Sequence, residues 1–336
     1  MLTSKERVQR AVHFRGPDRI PILHSFLPGG LNELGDELRG IFSRYPSDIS
    51  GQYPQDYSVS GDHGWRYLTK GVWTDEWGCT WDFPGLGVEG IPVDGPFYRG
   101  WEKLNGFRCP EVGSEQRPPR DADERYVMAG IPGGRMFERM HFLRGYENLM
   151  IDLAEDRQEV YLLRDRILEW TVRHLGPMLK CGWIDCFCYM DDWGTQTGLM
   201  ISPPQWRAVF KPVYTRLFSM VREAGKDVYF HSDGMIIDMI PDLVKMGVSI
   251  LNCQISCMDL GRLAAFKGKV CFATDIDRQH LLPFGSPEEI RNHIRALIRT
   301  LSLRSGGMIG EAEIGPGVPA HNAEVAYRTL FEFRWE

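Results

Sequence analysis

The chain has 336 residues, 43% of them hydrophobic and 25% charged, with a formal net charge of −6. That composition suits an ordinary folded protein, and its scattered Lys and Arg form no basic stripe for nucleic acid. No apolar run approaches the ~20 residues that a membrane-crossing helix requires.

The opening MLTSKERVQRAVHF reads as an amphipathic helix rather than a signal peptide, with Thr3 and Glu6 at capping-box spacing. The eight cysteines (Cys79, Cys109, Cys181, Cys186, Cys188, Cys253, Cys257 and Cys271) sit mostly in apolar surroundings. Reduced, buried thiols and a cytoplasmic location are the expectation. PILHSF (21–26) is the first strand. From 29 to about 120 the chain is rich in Gly, Pro and aromatics, including Trp65, Trp73, Trp77, Trp81 and Trp101, and has little helical period. This predicts a long excursion after the first strand, with a β-hairpin around 72–82. Segments of this length commonly form lids or binding walls, although tryptophans more often serve packing.

From 126 onward, short β-like runs alternate with helical ones. Strands are predicted at 126–132, 185–194, 227–234, 249–254, 269–277 and 307–315. Helices are predicted through Glu138 to Tyr146, over 154–180, from Pro203 to Gly225, over IIDMIPDLVKMG, from Ser286 and around 322–333. Ser286-Pro287-Glu288-Glu289 combines an N-cap, a first-turn proline and a capping-box Glu. The alternation predicts an α/β fold with a parallel sheet covered by helices, and the number of units suits a closed (β/α)8 TIM barrel, one domain over 1–336. A doubly wound open sheet is the alternative. It is weakened because no G-x-G-x-x-G follows a strand.

Polar residues gather at the C-terminal ends of these strands. Asp191 and Asp192, followed by Trp193, end one; His231 and Asp233 end the next. Asn252, Cys253 and Gln254 close a third, Asp275 and Asp277 a fourth, and Glu311 and Glu313 lie in the last. In a barrel these ends form one bowl, where catalytic groups sit. Each acid alone can be a helix cap, and His231 alone a core histidine; convergence on five strand ends favours a functional bowl. Imidazole among carboxylates can hold a divalent metal, with zinc suited to an open catalytic site, or the set can act as a metal-free acid/base cluster. Neighbouring carboxylates raise one another's pKa, so that one can remain protonated as a general acid.

SKERVQRAVHFRGPDRIPI, YMDDWGTQTGLMISPPQW, VYFHSDGMIIDMIPDLVKMGVSILNCQ, FATDIDRQHLLPFGSPEEI and GVPAHNAEVAYRTL, in this order, resemble the uroporphyrinogen decarboxylase superfamily over nearly the whole chain. The resemblance implies the barrel and the active site in its bowl. Members that decarboxylate uroporphyrinogen carry an arginine-rich R-Q-A-G-R segment after the first strand, which grips substrate carboxylates; here the matching HSFLPGGLNEL has no arginine. The other branch uses zinc to move methyl groups to or from a cobalamin carried by a corrinoid protein. Its thiol-methylating members resemble H-x-C with a distant Cys, where this chain has His231-Ser232-Asp233 and Glu311-Ala312-Glu313. Oxygen ligands in place of thiolates leave zinc a stronger Lewis acid, suited to an ether oxygen. The similarity to enzymes that demethylate methoxylated aromatics follows this line.

What the resemblance implies is a zinc-dependent methyltransferase that takes a methyl group from a methoxylated small molecule to a partner corrinoid protein. His231, Glu311 and Glu313 would hold Zn2+, with Cys253 or Asp233 as further candidates. Asp191 and Asp192 join His231 as catalytic groups, and Asn252, Gln254, Asp275 and Trp193 as substrate-binding groups. Glu311 and Glu313 share one face of a regular strand, so periodicity does not choose between them. The tryptophan-rich excursion would supply an apolar wall for an aromatic ring. A homo-oligomer is compatible with the sequence. The alternatives are a metal-free decarboxylase of a small acid or tetrapyrrole, in which His231 and the paired aspartates move protons, and a noncatalytic tetrapyrrole-binding barrel.

Overall fold

A computed structural model describes residues 2–58, 64–111 and 117–335, with backbone alone at Gly64 and Trp65. In chain order its strands are β1 (Ser25–Phe26), β2 (Gly71–Thr74), β3 (Thr80–Phe83), β4 (Ile91–Asp94), β5 (Met128–Gly130) and β6 (Cys186–Met190). There follow β7 (Asp227–Ser232), β8 (Ile250–Cys253), β9 (Cys271–Ala273), β10 (Met308–Ile309) and β11 (Glu313–Ile314).

Six strands form a parallel sheet in the order β10-β9-β8-β7-β6-β5, with helices between successive strands. β1 pairs in parallel with β11, Ser25 opposite Glu313, and Ile22 bridges Gly310. Beyond β5 the sheet continues through a segment the sequence reading did not contain. Ile49 bridges Tyr126 in parallel, and Asp48 N donates to Ile22 O at 2.8 Å. Residues 48–50 therefore stand between the first strand and β5. SRYPSDISG carries no apolar run and only one fully inward residue, so period-two reasoning had nothing to detect there.

Side chains alternate across the strands, as the pleat requires. Leu23, Ile49, Tyr126, Cys186, Tyr229, Ile250, Cys271 and Ile309 form one buried cluster together with Val8 and Val12 from the N-terminal helix Ser4–Val12. Each parallel segment contributes one of the first eight. Phe187, Val228, Phe230, Leu251 and Phe272 point the other way, into the larger core beneath the helices.

The helices follow local chemistry. Thr3 and Glu6 make the predicted reciprocal cap, as do Ser286 and Glu289. The helix expected from Pro203 to Gly225 is two, Pro203–Val209 and Lys211–Glu223, broken at Phe210. Pro212 has no N–H and its ring would clash with the carbonyl four residues earlier, so an unbroken helix is excluded. Likewise the run 154–180 is a helix over Gln158–Leu179, preceded by a separate Tyr146–Ala154.

The excursion contains helices Pro28–Leu34 and Asp36–Arg44 and an antiparallel sheet β2-β3-β4, with Trp73 opposite Trp81 across the β2–β3 pair. Trp77 meets Trp170 edge-on at 5.0 Å, Trp81 meets Phe142 at 4.7 Å, and Trp101 Nε1 donates to Asp152 at 3.1 Å. These rings fasten the excursion to the body; the side chain of Trp65 lies outside the described residues. All eight cysteines are free thiols. No described helix is long and apolar enough to cross a membrane.

Candidate active site

The C-terminal strand ends surround a cavity of about 680 Å³. Alternation decides which residues reach it. Tyr229 and His231 on β7, with Asp233 just past its end, take successive inward positions, as do Glu311, Glu313 and Gly315 around β11. Met190 and Asp192 point in from β6 and its extension, and Asn252, Thr274 and Asp275 from β8 and the end of β9.

At the centre, His231 Nε2 lies 3.6 Å from Asp192 Oδ1 and 3.8 Å from Asp233 Oδ1. One donor atom from each of these three partly buried residues lies within 4.8 Å of the other two. The tautomer of His231 follows from its neighbour. Asn252 Nδ2 donates to Glu311 Oε2 at 3.3 Å and to Ala273 O at 3.4 Å, which turns Asn252 Oδ1 toward His231 Nδ1. Nδ1 then donates to Asn252, and Nε2 is the ring nitrogen that faces the two carboxylates.

The two aspartates are placed by backbone contact. Gly194 N donates to Asp233 O at 3.1 Å, and Asp233 N donates to Asp192 Oδ1 at 2.8 Å. Gly234 has φ +76°, and a Cβ there would fall 2.2 Å from the Gly194 carbonyl carbon. Only glycine permits this approach of the two loops, and with it the convergence of Asp192 and Asp233.

Several residues expected in the bowl sit elsewhere. Asp191 is fully buried and accepts from Phe137 N and Glu138 N, both at 2.9 Å, and from the Tyr214 hydroxyl at 2.7 Å. It caps the helix Met136–Arg144, because residue 191 falls on the opposite face to 192. Burial pushes its carboxyl up to about 7, against these three donors, which favour the charge. Trp193 is buried, donates from Nε1 to Tyr214 Oη at 2.7 Å and stacks on Phe137 at 4.2 Å. Cys253 points into the core beneath the helices, and burial raises its thiol pKa strongly. Gln254 Oε1 accepts from Gly234 N at 3.0 Å and so braces the Asp233 loop from behind. Asp277 accepts from Gln279 N and His280 N as a local cap. Among the described residues no tryptophan lines the cavity; the excursion contributes Tyr67 and Glu89 instead.

Sequence reasoning also missed three residues. Arg278 donates to Asp233 Oδ2 at 2.5 Å and to Glu313 Oε1 at 2.9 Å. It follows Asp275 and Asp277 closely enough to have been read with them. Glu138 and Arg135 reach the cavity from the start of a helix, where no motif marks them.

Seven carboxyl groups line the cavity (Glu89, Glu138, Asp192, Asp233, Asp275, Glu311 and Glu313) against two guanidinium groups, Arg135 and Arg278. Arg135 is engaged by Glu138 at 3.2 Å and Glu89 at 3.6 Å, as Arg278 is by Asp233 and Glu313. Burial pushes Glu138 up to about 9, Asp275 up to about 7 and Glu311, with Glu313 beside it, up to about 8. The wall thus offers carboxyl groups that stay protonated near neutral pH next to a histidine–aspartate cluster.

The chain resembles known proteins in fold and in family. The chain superimposes on a methyltransferase from Methanosarcina mazei over 99% of both chains, with a TM-score of 0.67 and 12% identity, which is a likeness of fold. Dihydropteroate synthase from Anaplasma phagocytophilum with bound 6-hydroxymethylpterin-monophosphate overlaps only 51% of this chain and 68% of its own. Its TM-score is 0.34 at 17% identity. No protein of curated function matches the sequence. Residues 137–332 match the uroporphyrinogen decarboxylase (URO-D) family. That span runs from the helix carrying Glu138 to the closing helix and holds most of the cavity wall, and the chain belongs to the uroporphyrinogen decarboxylase family.

Proposed function

We propose that the parallel segments close as a (β/α)8 barrel and that the protein is a zinc-dependent methyltransferase, moving a methyl group from a methoxylated small molecule to the cobalt of a separate corrinoid protein. Closure is supported by the inner cluster to which all eight parallel segments contribute, and by the bridges through 48–50 and β1 that join the sheet edges. The observation that carries the reading is the His231 imidazole, with Nε2 turned to the Asp192 and Asp233 oxygens. Imidazole with oxygen donors and an open side fits zinc in a catalytic site.

His231, Asp192 and Asp233 would hold the ion; Glu311, bonded to Asn252, and Glu313, bonded to Arg278, line the same cavity. When bound, zinc supplies Lewis acidity to the ether oxygen that the methyl group leaves. Asn252 fixes the His231 ring and its tautomer, and Arg278 fixes Asp233, as outer partners of metal ligands do. Asp275, just past β9, faces the same space and would contact substrate.

A polycarboxylate substrate fits this cavity poorly. Its two arginines are paired already, and the wall nearest β1 offers Ser25, Leu27 and Pro28 where a carboxylate grip would need cations. The protonatable wall favours one second reading, a metal-free carboxy-lyase acting on a small acid with Glu138 or Glu311 as proton donor. The two are separated by incubating the zinc-loaded chain with reduced cobalamin and a panel of methoxylated aromatics. Methylcobalamin that forms only with enzyme and ether supports methyl transfer. Release of CO2 from a small acid, with no methylcobalamin from any ether, overturns it.

A further inference from the structure

Removing a methyl group from an ether leaves an oxygen with an extra electron pair, and that oxygen needs a proton. The sequence points to Asp191 and Asp192 as catalytic groups. Asp191 is sealed behind the wall as a helix cap, and Asp192 faces His231. The cap itself shows where the task passes. By accepting from Phe137 N and Glu138 N, Asp191 ties the start of Met136–Arg144 to the strand end that continues into Asp192, and so sets Glu138 on the cavity wall.

Three features of Glu138 match what a proton donor requires. It is only 8% exposed, yet it reaches the cavity. Its Oε1 accepts from Arg135 Nη1 at 3.2 Å, and among the described residues no donor reaches Oε2. Arg135, on the same wall and tethered to Glu89 of the excursion, can take up the negative charge once the proton has gone.

We propose that Glu138, steadied by Arg135, donates the proton to the oxygen that the methyl group leaves. This rests on the methyl-transfer reading. In the step, the methyl carbon bonds to cobalt(I) of the reduced corrinoid through the metal's electron pair. The carbon–oxygen bond breaks with its pair on oxygen, and that oxygen takes the proton from Glu138 Oε2, leaving a carboxylate beside Arg135. Solvent returns the proton after the product alcohol or phenol departs. The charges around the group agree: burial holds its proton on, up to about 9, Arg135 pulls the other way, and Asp191, Asp192 and Glu89 reinforce burial.

The test uses the full chain and Glu138→Gln, with zinc content and melting temperature as controls for the fold. Infrared difference spectra of wild type against variant should show a protonated carboxyl band at neutral pH that disappears as the pH passes about 9. Methyl transfer from unactivated aryl methyl ethers should fall roughly 10²- to 10⁴-fold in Glu138→Gln. Transfer from nitro-substituted ethers, whose phenolate leaves unaided, should fall far less. Arg135→Gln, as the second variant, should move the loss of activity to higher pH. A Glu138 ionised at neutral pH, or an equal loss on both ether classes, overturns the assignment while leaving methyl transfer standing. A wild-type enzyme that demethylates no ether at all overturns both.

Discussion

At the N-terminal ends of the parallel strands the acids are fully matched. Asp48 is completely buried and receives Arg7 at 2.7 Å, Arg19 at 2.7 Å, Ser4 at 2.8 Å and Ile22 N at 2.8 Å. Asp185 pairs with Lys5, and Asp227 accepts from Tyr126 at 2.7 Å with His13 at 3.2 Å. At the opposite ends seven carboxyl groups share two arginines, and burial pushes Glu138 up to about 9, Glu311 up to about 8 and Asp275 up to about 7. Both ends are acidic, and only one has charge and hydrogen-bonding capacity left over. Saturated groups keep a fold together; unsaturated ones are available to a ligand.

The largest effect that would break this contrast lies at the saturated end. Asp48→Asn should destabilise the protein by about 3–5 kcal/mol in denaturant titration, because it strands Arg7 and Arg19 without their buried partner. Asp192→Asn should change stability by less than about 1 kcal/mol and abolish metal retention. Similar losses in both variants would erase the distinction between the ends. Next comes Asp191→Ala, which removes one acceptor from three buried donors and should lower stability by about 2–3 kcal/mol. It should also impair turnover by releasing Glu138; full activity would show that the cap does not set the wall.

Asn252→Ala should leave the fold intact and weaken zinc binding roughly 10–100-fold, since the His231 ring loses the partner that fixes its tautomer. Competition with a chelator reads this directly, and unchanged affinity would remove Asn252 from the site. The smallest effect concerns His13. Its hydrogen bond with Asp227 raises its pKa above 6.5, so its contribution to stability is complete below 6.5 and fades as pH climbs through the raised value. Asp227 is held below 3.8 by His13 and Tyr126 despite burial, so its share is present above 3.8 and is lost in stronger acid. With the His13 side chain 42% exposed, screening limits the pair to under about 1 kcal/mol. Stability of wild type minus His13→Gln should therefore peak between these pH values, and a flat difference would contradict the assignment.

Much of this arrangement is legible in the sequence. Strand–helix alternation gave the parallel α/β order, and inward positions two apart placed His231 with Asp233, and Glu311 with Glu313, on one wall. The same period separates Asp191 from Asp192 and Cys253 from Asn252. Within DDW and NCQ, however, the sequence does not say which residue of the pair faces in. That phase is set by register with β7, where Met190 stands opposite His231 and His231 opposite Asn252. The segment 48–50 was hidden because its contribution to the sheet rests on backbone bonds rather than an apolar run. Glu138 was hidden because its position depends on a cap that is distant in sequence, Asp191. The tryptophans were legible as a group, and their role was packing.

If His231, Asp192 and Asp233 form a zinc site, elemental analysis will find the metal on the purified chain. The purified chain, the His231→Ala variant and the Asp192→Asn variant would be grown with added zinc and measured side by side. About one zinc per wild-type chain is expected, with loss of that zinc in both folded variants. Wild-type protein without metal, or variants that keep it, would contradict the site and shift the chemistry to the protonated carboxyl groups alone.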